Sequence, residues 1–134
     1  MKTYILDTSA LLIFLEKKPS GPKVAELLKD ALRGRAHVLM SAVNCGEVYG
    51  IILREHGVDR ATAAMSAIHP LPMEILDATR QRCIHAADVK VRYKLYYADS
   101  FAAALAFEHK ATLVTSDSDF RSLGSAVALL WLKS

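Results

Sequence analysis

The sequence contains little of what would mark a secreted, zinc-binding or membrane-spanning protein. It has only two cysteines, Cys45 and Cys83, which form no C-x-x-C pattern and lie in apolar segments typical of helices. A disulfide or zinc site is therefore not expected, and we predict reduced thiols in the core. No apolar run approaches the ~18 residues that span a bilayer. The N-terminal apolar segment is interrupted at Asp7, too early for a secretory signal, so we expect a soluble, cytoplasmic protein.

Aromatic residues are also scarce, at 7% of the 134 residues, but hydrophobic residues make up 52% and charged residues 23%. This composition is typical of a folded globular chain and excludes a disordered or low-complexity one. The length suits one domain with an ordinary hydrophobic core. We expect a single domain over residues 1–134.

Strand-like and helix-like segments alternate along the chain, with no internal repeat or linker between them. Short strands are predicted at residues 3–6, 37–40, 71–76, 112–115 and 127–132. Helices are predicted at residues 9–18, 21–34, 42–57, 59–69, 77–93 and 98–110. Strands separated by helices predict a parallel sheet covered on both faces. The expected fold class is therefore α/β, a three-layer α/β/α sandwich with a mostly parallel central sheet of about four or five strands.

Five acidic residues lie at or near the ends of these strands. Asp7 directly follows the first strand, Asp117 and Asp119 follow the fourth, Glu47 lies on the helix after the second strand, and Asp99 begins the helix before the fourth. In parallel α/β sheets, ligands bind beyond the carboxyl ends of the strands. The fold would therefore bring together acids that are far apart in sequence.

Each acid also has a purely structural explanation. Asp7 and Asp99 are suitable helix caps, and Asp117 suits an Asx turn. Glu47 is harder to explain in this way, because its helix is expected to be mostly buried and a buried glutamate is rare without a partner. These alternatives stay open for the residues taken one at a time.

Taken together, the acids indicate a cation. Two carboxylates ~5 Å apart repel by roughly 3 kcal/mol at an effective dielectric constant of 20. Several in one crevice would raise one another's pKa values or require a cation. Mg²⁺ prefers oxygen ligands, and Mn²⁺ is chemically similar. Zinc is disfavoured because the histidines are scattered along the chain, at His37, His56, His69, His85 and His109.

The net charge of +3 also contains a useful asymmetry. If the five acids share one pocket, nine acids remain against 17 Lys and Arg, which leaves about +8 on the rest of the molecule. A negative pocket in a positive surface suits a polyanion whose backbone is attacked, and a carboxylate-held metal suits phosphodiester hydrolysis. The alternative is a mildly basic surface without a specific partner.

Four segments, in order, are similar to the acidic motifs of PIN-domain ribonucleases: "YILDTSALL", "NCGEVYG", "YYADSFAAALA" and "TLVTSDSDF". The resemblance covers nearly the whole chain, and the length suits toxins of the VapC type. It implies a Mg²⁺- or Mn²⁺-dependent endoribonuclease with RNA as substrate. It also implies a homodimer neutralised by a VapB-like antitoxin, whose tail enters the acidic groove. The same motifs are found in PIN nucleases with housekeeping roles.

The resemblance also assigns roles to individual residues. Four acids match the catalytic, metal-holding quartet: Asp7, Glu47, Asp99 and Asp117. Asp119 falls on a position that is often acidic and is a further candidate ligand. Polar residues that support the carboxylates are expected at Thr8, Ser9, Asn44 and Thr115.

The segment "KVRYKLYYAD" is a candidate for RNA binding. It interleaves three basic residues with three tyrosines just before Asp99, namely Lys90, Arg92 and Lys94 with Tyr93, Tyr96 and Tyr97. Basic groups can contact phosphates, and aromatic rings can stack on unpaired bases. The alternative is that the tyrosines belong to the core and the basic residues to an ordinary exposed helix face.

Two other functions compete with this interpretation. A receiver-type, Mg²⁺-binding signalling domain is also a parallel α/β sheet, but it needs paired acids after the first strand, where this chain has "DTS". It also needs an Asp after a central strand and a Lys after the last one, whereas here the second strand ends in "SAVN" and Lys133 is the penultimate residue. The other alternative is a PIN fold that only binds RNA or a partner.

Overall fold

The structure is a computed structural model that describes residues 1–133. Its centre is a five-stranded sheet of β1 (Lys2–Leu6), β2 (Ala36–Ser41), β3 (Glu74–Leu76), β4 (Thr112–Thr115) and β5 (Leu129–Trp131). The strand order is β3-β2-β1-β4-β5, and every neighbouring pair is parallel. The prediction of a mostly parallel sheet of four or five strands is confirmed.

Within residues 1–133, six α-helices connect the strands: α1 (Thr8–Leu15), α2 (Gly21–Leu32), α3 (Ala42–His56), α4 (Val58–Ile68), α5 (Arg80–Tyr93) and α6 (Tyr97–His109). A 3-10 helix, Ser118–Leu123, follows β4 and was not predicted. Each predicted strand and helix is present. Their ends lie within about three residues of the predicted ones, which is where assignments from sequence are weakest.

Helix α1 ends three residues earlier than predicted, at Leu15 rather than at residue 18. The cause is Lys17, which adopts a left-handed conformation with φ of 54°. The Lys17 N–H donates to the Phe14 carbonyl and the Lys18 N–H to the Ile13 carbonyl, which is the Schellman pattern that closes a helix. The chain therefore turns before it reaches Pro19.

Both faces of the sheet are buried, because successive residues of a strand point to opposite sides. Ile5 and Leu113 belong to the core cluster that contains the buried residues of α5 and α6. Their neighbours Leu6 and Val114 belong to a second cluster, which contains Ala10 and Ile13 of α1 and the buried apolar side chains of α2. This arrangement confirms the three-layer sandwich.

The two cysteines are free, as predicted, but both are half-buried rather than fully inside the core. Cys83 packs at the edge of the cluster under α5 and α6, and Cys45 packs against the cluster formed with α3 and α4. None of the described helices has the length and apolarity that crossing a membrane would require.

The sheet topology places two strand ends side by side. β1 lies at the centre of the sheet, and its Leu6 pairs with Val114 of β4. The chain segments that leave β1 and β4 therefore emerge next to each other at one edge. Helix α6 contacts β1, β2 and β4, and it is buried continuously from Ser100 to Ala106. Its amino end is thus held firmly at the same edge.

Candidate functional site

An open cavity of about 590 Å³ lies where the chain leaves β1 and β4. All five acids singled out from the sequence line it: Asp7, Glu47, Asp99, Asp117 and Asp119. Residues from α1, α3 and α6 complete its wall. The structure thus brings together carboxylates that are up to 112 positions apart in the chain.

Each acid is positioned by the end or the face of an element. Asp7 follows β1 and is the N-cap residue of α1, and Asp99 lies in the first turn of α6. Asp117 follows β4 and caps the 3-10 helix, which carries Asp119 in its first turn. Glu47 reaches the cavity from α3. The cap considered for Asp7 and the Asx turn considered for Asp117 are both present, and both residues also line the cavity. The N-cap residue of α6 is Tyr96 rather than Asp99.

Three of the carboxylates form the tightest group. Asp99, Asp117 and Asp119 each offer an oxygen atom, and these three atoms all lie within 4.8 Å of one another. Asp119, which the sequence ranked below the other acids, is therefore as well placed as any of them. Asp7 is only 2% exposed, whereas Asp119 is exposed. The five cavity acids thus extend from a buried inner end at Asp7 to a solvent-facing outer end at Asp119.

No basic side chain neutralises these acids in the described part of the chain. The residues that line the cavity include no lysine, arginine or histidine. The ion pairs found among residues 1–133 all involve other acids. The cavity therefore contains a concentration of negative charge without a protein cation to balance it.

Asp7 is held rigidly by hydrogen bonds. Its Oδ1 accepts from the Ser9 hydroxyl at 2.7 Å and from the Ala10 N–H at 2.8 Å, and its Oδ2 accepts from the Thr115 hydroxyl at 2.5 Å. Burial raises the pKa of Asp7 to about 6, although the bonds from Thr115, Ala10 and Ser9 oppose this rise. The nearby Asp117 raises it further. The Asp117 N–H in turn donates to the Thr115 hydroxyl at 2.9 Å, so one threonine connects both strand ends.

Asp99 shows the effect of the shared charge directly. Burial, followed by repulsion from the neighbouring carboxylates, raises the pKa of Asp99 to about 7. Four acids contribute to this repulsion: Asp117, Asp7, Glu47 and Asp119. Its position in the first turn of α6 favours the charged form through the helix dipole, but burial and repulsion outweigh that effect.

A second set of hydrogen bonds fixes Glu47. This residue is half-buried rather than buried, and its Oε1 accepts from the Thr8 hydroxyl at 2.5 Å. The Asn44 Nδ2 donates to the Thr8 hydroxyl oxygen at 3.2 Å and to the Ala98 carbonyl at 3.0 Å. Asn44 is fully buried, and its Oδ1 has no hydrogen-bond partner among residues 1–133. Asn44 therefore links α1, α3 and α6 at the cost of one unsatisfied acceptor.

The contact between Thr115 and Asp7 gives a test of this network. Thr115→Val keeps the shape of the side chain but removes the hydroxyl. We expect it to lower the free energy of unfolding by about 1–3 kcal/mol at pH 8, since a hydrogen bond to a charged group is lost. The loss should be smaller at pH 5, where Asp7 is mostly protonated. Urea unfolding at both pH values measures this difference.

Thr112→Val is the matched control, because it makes the same change at the other end of β4, on a half-buried residue. We expect a change within about 0.5 kcal/mol at either pH. Equal losses for the two variants would show that the hydroxyl of Thr115 has no special role.

A family model described as the PIN domain matches residues 4–125. The chain belongs to the PIN domain family. This membership decides against the receiver-type alternative. No curated protein matches the sequence in a direct search.

Solved structures with the same fold include several toxin–antitoxin proteins. VapBC2 from Rickettsia felis, bound to a DNA fragment from its promoter, has a TM-score of 0.74 at 17% identity, covering 96% of this chain and 97% of that one. VapC20 from Mycobacterium tuberculosis, a sarcin–ricin loop cleaving toxin, has a TM-score of 0.71 at 18% identity, covering 90% and 95%. DNA-bound VapBC from Salmonella typhimurium has a TM-score of 0.70 at 16% identity, covering 97% and 98%. At these identities the likeness shows that the PIN fold is shared.

The basic residues predicted to guide RNA are not part of the PIN-domain cavity. Lys90, Arg92 and Lys94 lie at the carboxyl end of α5, and none of them lines the cavity. The Arg92 Nε donates to the Asp88 carboxylate at 2.9 Å on the exposed face of that helix. If these residues bind RNA, they do so outside the cavity.

The apolar part of the cavity wall includes Tyr96 and Tyr97, two tyrosines of the candidate RNA-binding segment, and also Leu12 and Ile51, which the sequence did not single out. The alternative that the tyrosines are core residues holds only for Tyr93, which is half-buried and stacks on Phe107. Tyr96 and Tyr97 are 73% and 53% exposed. The adjacent tyrosines just before Asp99 were the sequence signal for this part of the cavity wall.

Proposed function

We propose that this PIN domain is a metal-dependent endoribonuclease, the toxin of a VapBC-type pair. The observation that supports this most strongly is the convergence of five carboxylates in one cavity whose lining residues include no basic side chain. Two of these carboxylates, Asp7 and Asp99, have raised pKa values, and perturbed pKa values are typical of functional sites. Such a cluster also suits a divalent cation bound through oxygen ligands.

The donor set fits Mg²⁺ or Mn²⁺. We assign Asp99, Asp117 and Asp119 as the first candidates to hold the ion, because their oxygen atoms are already within 4.8 Å of one another. Asp7 and Glu47 complete the acidic wall. A divalent ion bound there supplies activation of water and compensation for the negative charge that develops on phosphate oxygens.

The polar residues of the cavity keep the carboxylates in place. Ser9 and Thr115 fix both oxygens of Asp7, and Thr8 fixes Glu47. Asn44 holds Thr8 and the backbone just before Asp99. We therefore propose that these four side chains act as positioning residues, since residues that orient metal ligands are worth about 10–100-fold in affinity or activity.

The toxin role, the antitoxin and the homodimer are supported by weaker observations. Similar structures are VapBC complexes, two of them bound to DNA, and one similar structure is a toxin that cleaves the sarcin–ricin loop. These observations support a VapB-like antitoxin and an RNA substrate for this chain. Self-association is supported by Ile84 and Val91, which lie two turns apart on one face of α5 and are 65% and 78% exposed.

The products of cleavage test the proposed chemistry. If water is the nucleophile, RNA cut by this protein should carry a 5′-phosphate, and cleavage should not require the neighbouring 2′-hydroxyl. An RNA with a single 2′-deoxynucleotide before the cut should therefore be cleaved at about the same rate as the unmodified one. End-labelled RNA incubated with the protein and Mg²⁺ or Mn²⁺ shows both the chemical nature of the new ends and the rate of cleavage.

A 2′,3′-cyclic phosphate product, or complete protection by the 2′-deoxynucleotide, would contradict hydrolysis by water. An RNA that binds without being cut in either metal would favour the remaining alternative, a PIN fold that only binds RNA. Parallel reactions in EDTA provide the control for metal dependence.

A further inference from the structure

We infer that Tyr96 and Tyr97 form a stacking subsite for an unpaired nucleobase of the RNA, next to the acidic part of the cavity. This inference rests on the proposed function and specifies the class of substrate: single-stranded RNA, with one base held against the aromatic rings. The two tyrosines are called the aromatic rim below.

The aromatic rim is unusual because its rings face solvent. Tyr96 is 73% exposed and Tyr97 is 53% exposed, although an aromatic side chain is worth most when it is buried. The preceding residue, Leu95, is 4% exposed, and α6 begins at Tyr97. The backbone of the rim is therefore anchored while its side chains are left uncovered.

The orientation of one ring is already set. Tyr97 meets Phe101 edge to face, with ring centroids 5.1 Å apart and planes at 78°. Phe101 is 3% exposed and belongs to the main core. A ring held in this way loses little conformational freedom when a ligand stacks on it, which favours binding.

The cavity wall combines two chemistries that a nucleotide also combines. The aromatic rim, with Leu12 and Ile51, forms an apolar side of the cavity, and the five carboxylates form an acidic side. The apolar side suits a planar base, and the acidic side, with a bound cation, suits a phosphate. A volume of about 590 Å³ lies within the range of small-ligand sites. A planar base on the rim would place its own phosphate near the acids, where the proposed cation would bind.

The base must be unpaired, because a paired base is already stacked and its faces are not available. Stacking on aromatic side chains tolerates different bases, since every base has a π-face. The subsite therefore explains selection of single strands rather than of a particular sequence.

Binding in Ca²⁺ tests the subsite separately from cleavage. The probe is a short single-stranded RNA that carries one 2-aminopurine, whose fluorescence is quenched by stacking. We expect wild-type protein and Tyr96→Phe to quench it, and Tyr96→Ala to bind roughly ten-fold or more weakly with little quenching. With an abasic RNA, the difference between Tyr96→Ala and wild type should disappear, because the base that the ring contacts is missing.

Three outcomes would overturn the inference. In the first, Tyr96→Ala binds RNA, quenches the probe and cleaves RNA as wild type does, and in the second, the protein prefers duplex over single-stranded RNA. In the third, Tyr96→Ala changes self-association in sedimentation without any effect on RNA binding. The last result would make the aromatic rim a protein contact. Quenching in Ca²⁺ without cleavage in Mg²⁺ or Mn²⁺ would support the subsite and instead contradict the proposed hydrolysis.

Discussion

The rate of RNA cleavage should fall at least about a hundred-fold in Asp99→Asn. This loss is larger than the 10–100-fold loss typical of residues that only orient metal ligands. Asp99 is affected by all the other cavity acids, since each of the four raises its pKa. Asn keeps the shape of the side chain but removes the negative charge that would hold a divalent ion. Initial rates on a single-stranded RNA in Mg²⁺ or Mn²⁺ measure the effect, and Asp7→Asn and Asp117→Asn should behave in the same way.

Asp30→Asn on α2 is the matched control, because Asp30 is half-buried, like Asp99, but does not line the cavity. We expect it to cleave RNA at the wild-type rate. Expression in cells extends the test to the toxin role: wild type should arrest growth, and Asp99→Asn should not. If Asp99→Asn is folded by circular dichroism and cleaves RNA at the wild-type rate, Asp99 does not take part in the reaction.

The second large effect concerns stability without metal. The folded-state pKa values of Asp7 and Asp99 are about 6 and about 7, whereas the ordinary value is 3.8. Between these values the folded protein binds more protons than the unfolded chain, so stability falls as pH rises from about 4 and the loss is complete above about pH 7. For Asp7 the shift corresponds to about 3 kcal/mol, and we expect metal-free protein to melt at least several degrees lower at pH 8 than at pH 5.

Divalent metal should reverse this loss. Mg²⁺ or Mn²⁺ at about 100 times its dissociation constant adds about 2.7 kcal/mol to the free energy of unfolding. The gain should be largest at pH 8 and small at pH 5, where protons occupy the same carboxylates. In EDTA at pH 8, Asp99→Asn should be more stable than wild type by about 1–2 kcal/mol, a value reduced because solvent screens the half-buried Asp99. At pH 4 the variant should be no more stable than wild type.

Calorimetry of both proteins in EDTA and in metal, from pH 4 to pH 8, gives these values. A melting temperature of wild type in EDTA that rises from pH 5 to pH 8 would show that the acids do not repel as the structure indicates. An equal effect of metal at pH 5 and pH 8 would place the ion elsewhere on the protein.

The sequence was informative where local patterns are strong. Alternating strands and helices predicted the parallel sandwich, and the positions of Asp7 and Asp117 just after strands predicted that they would meet. The early end of α1 was missed because Lys17 adopts a left-handed conformation that usually favours glycine, and no residue pattern signals it. The 3-10 helix after β4 was missed for a similar reason, since it is short and begins at an Asp that also suits a simple turn.

The sequence alone was enough to predict that Asp7, Asp117 and Asp119 would share one edge of the sheet, because all three follow the carboxyl ends of parallel strands. Glu47 and Asp99 lie on helices, and their place in the cavity depends on how α3 and α6 pack against the sheet. The differences between these acids arise only in the folded chain. Burial and hydrogen bonds from distant residues make Asp7 a rigid inner carboxylate, whereas Asp119 is exposed yet close to Asp99 and Asp117. Exposure likewise separated the two tyrosines of the aromatic rim from Tyr93, which packs on Phe107. These differences depend on distances between residues far apart in the chain, and such distances are fixed only when the chain folds.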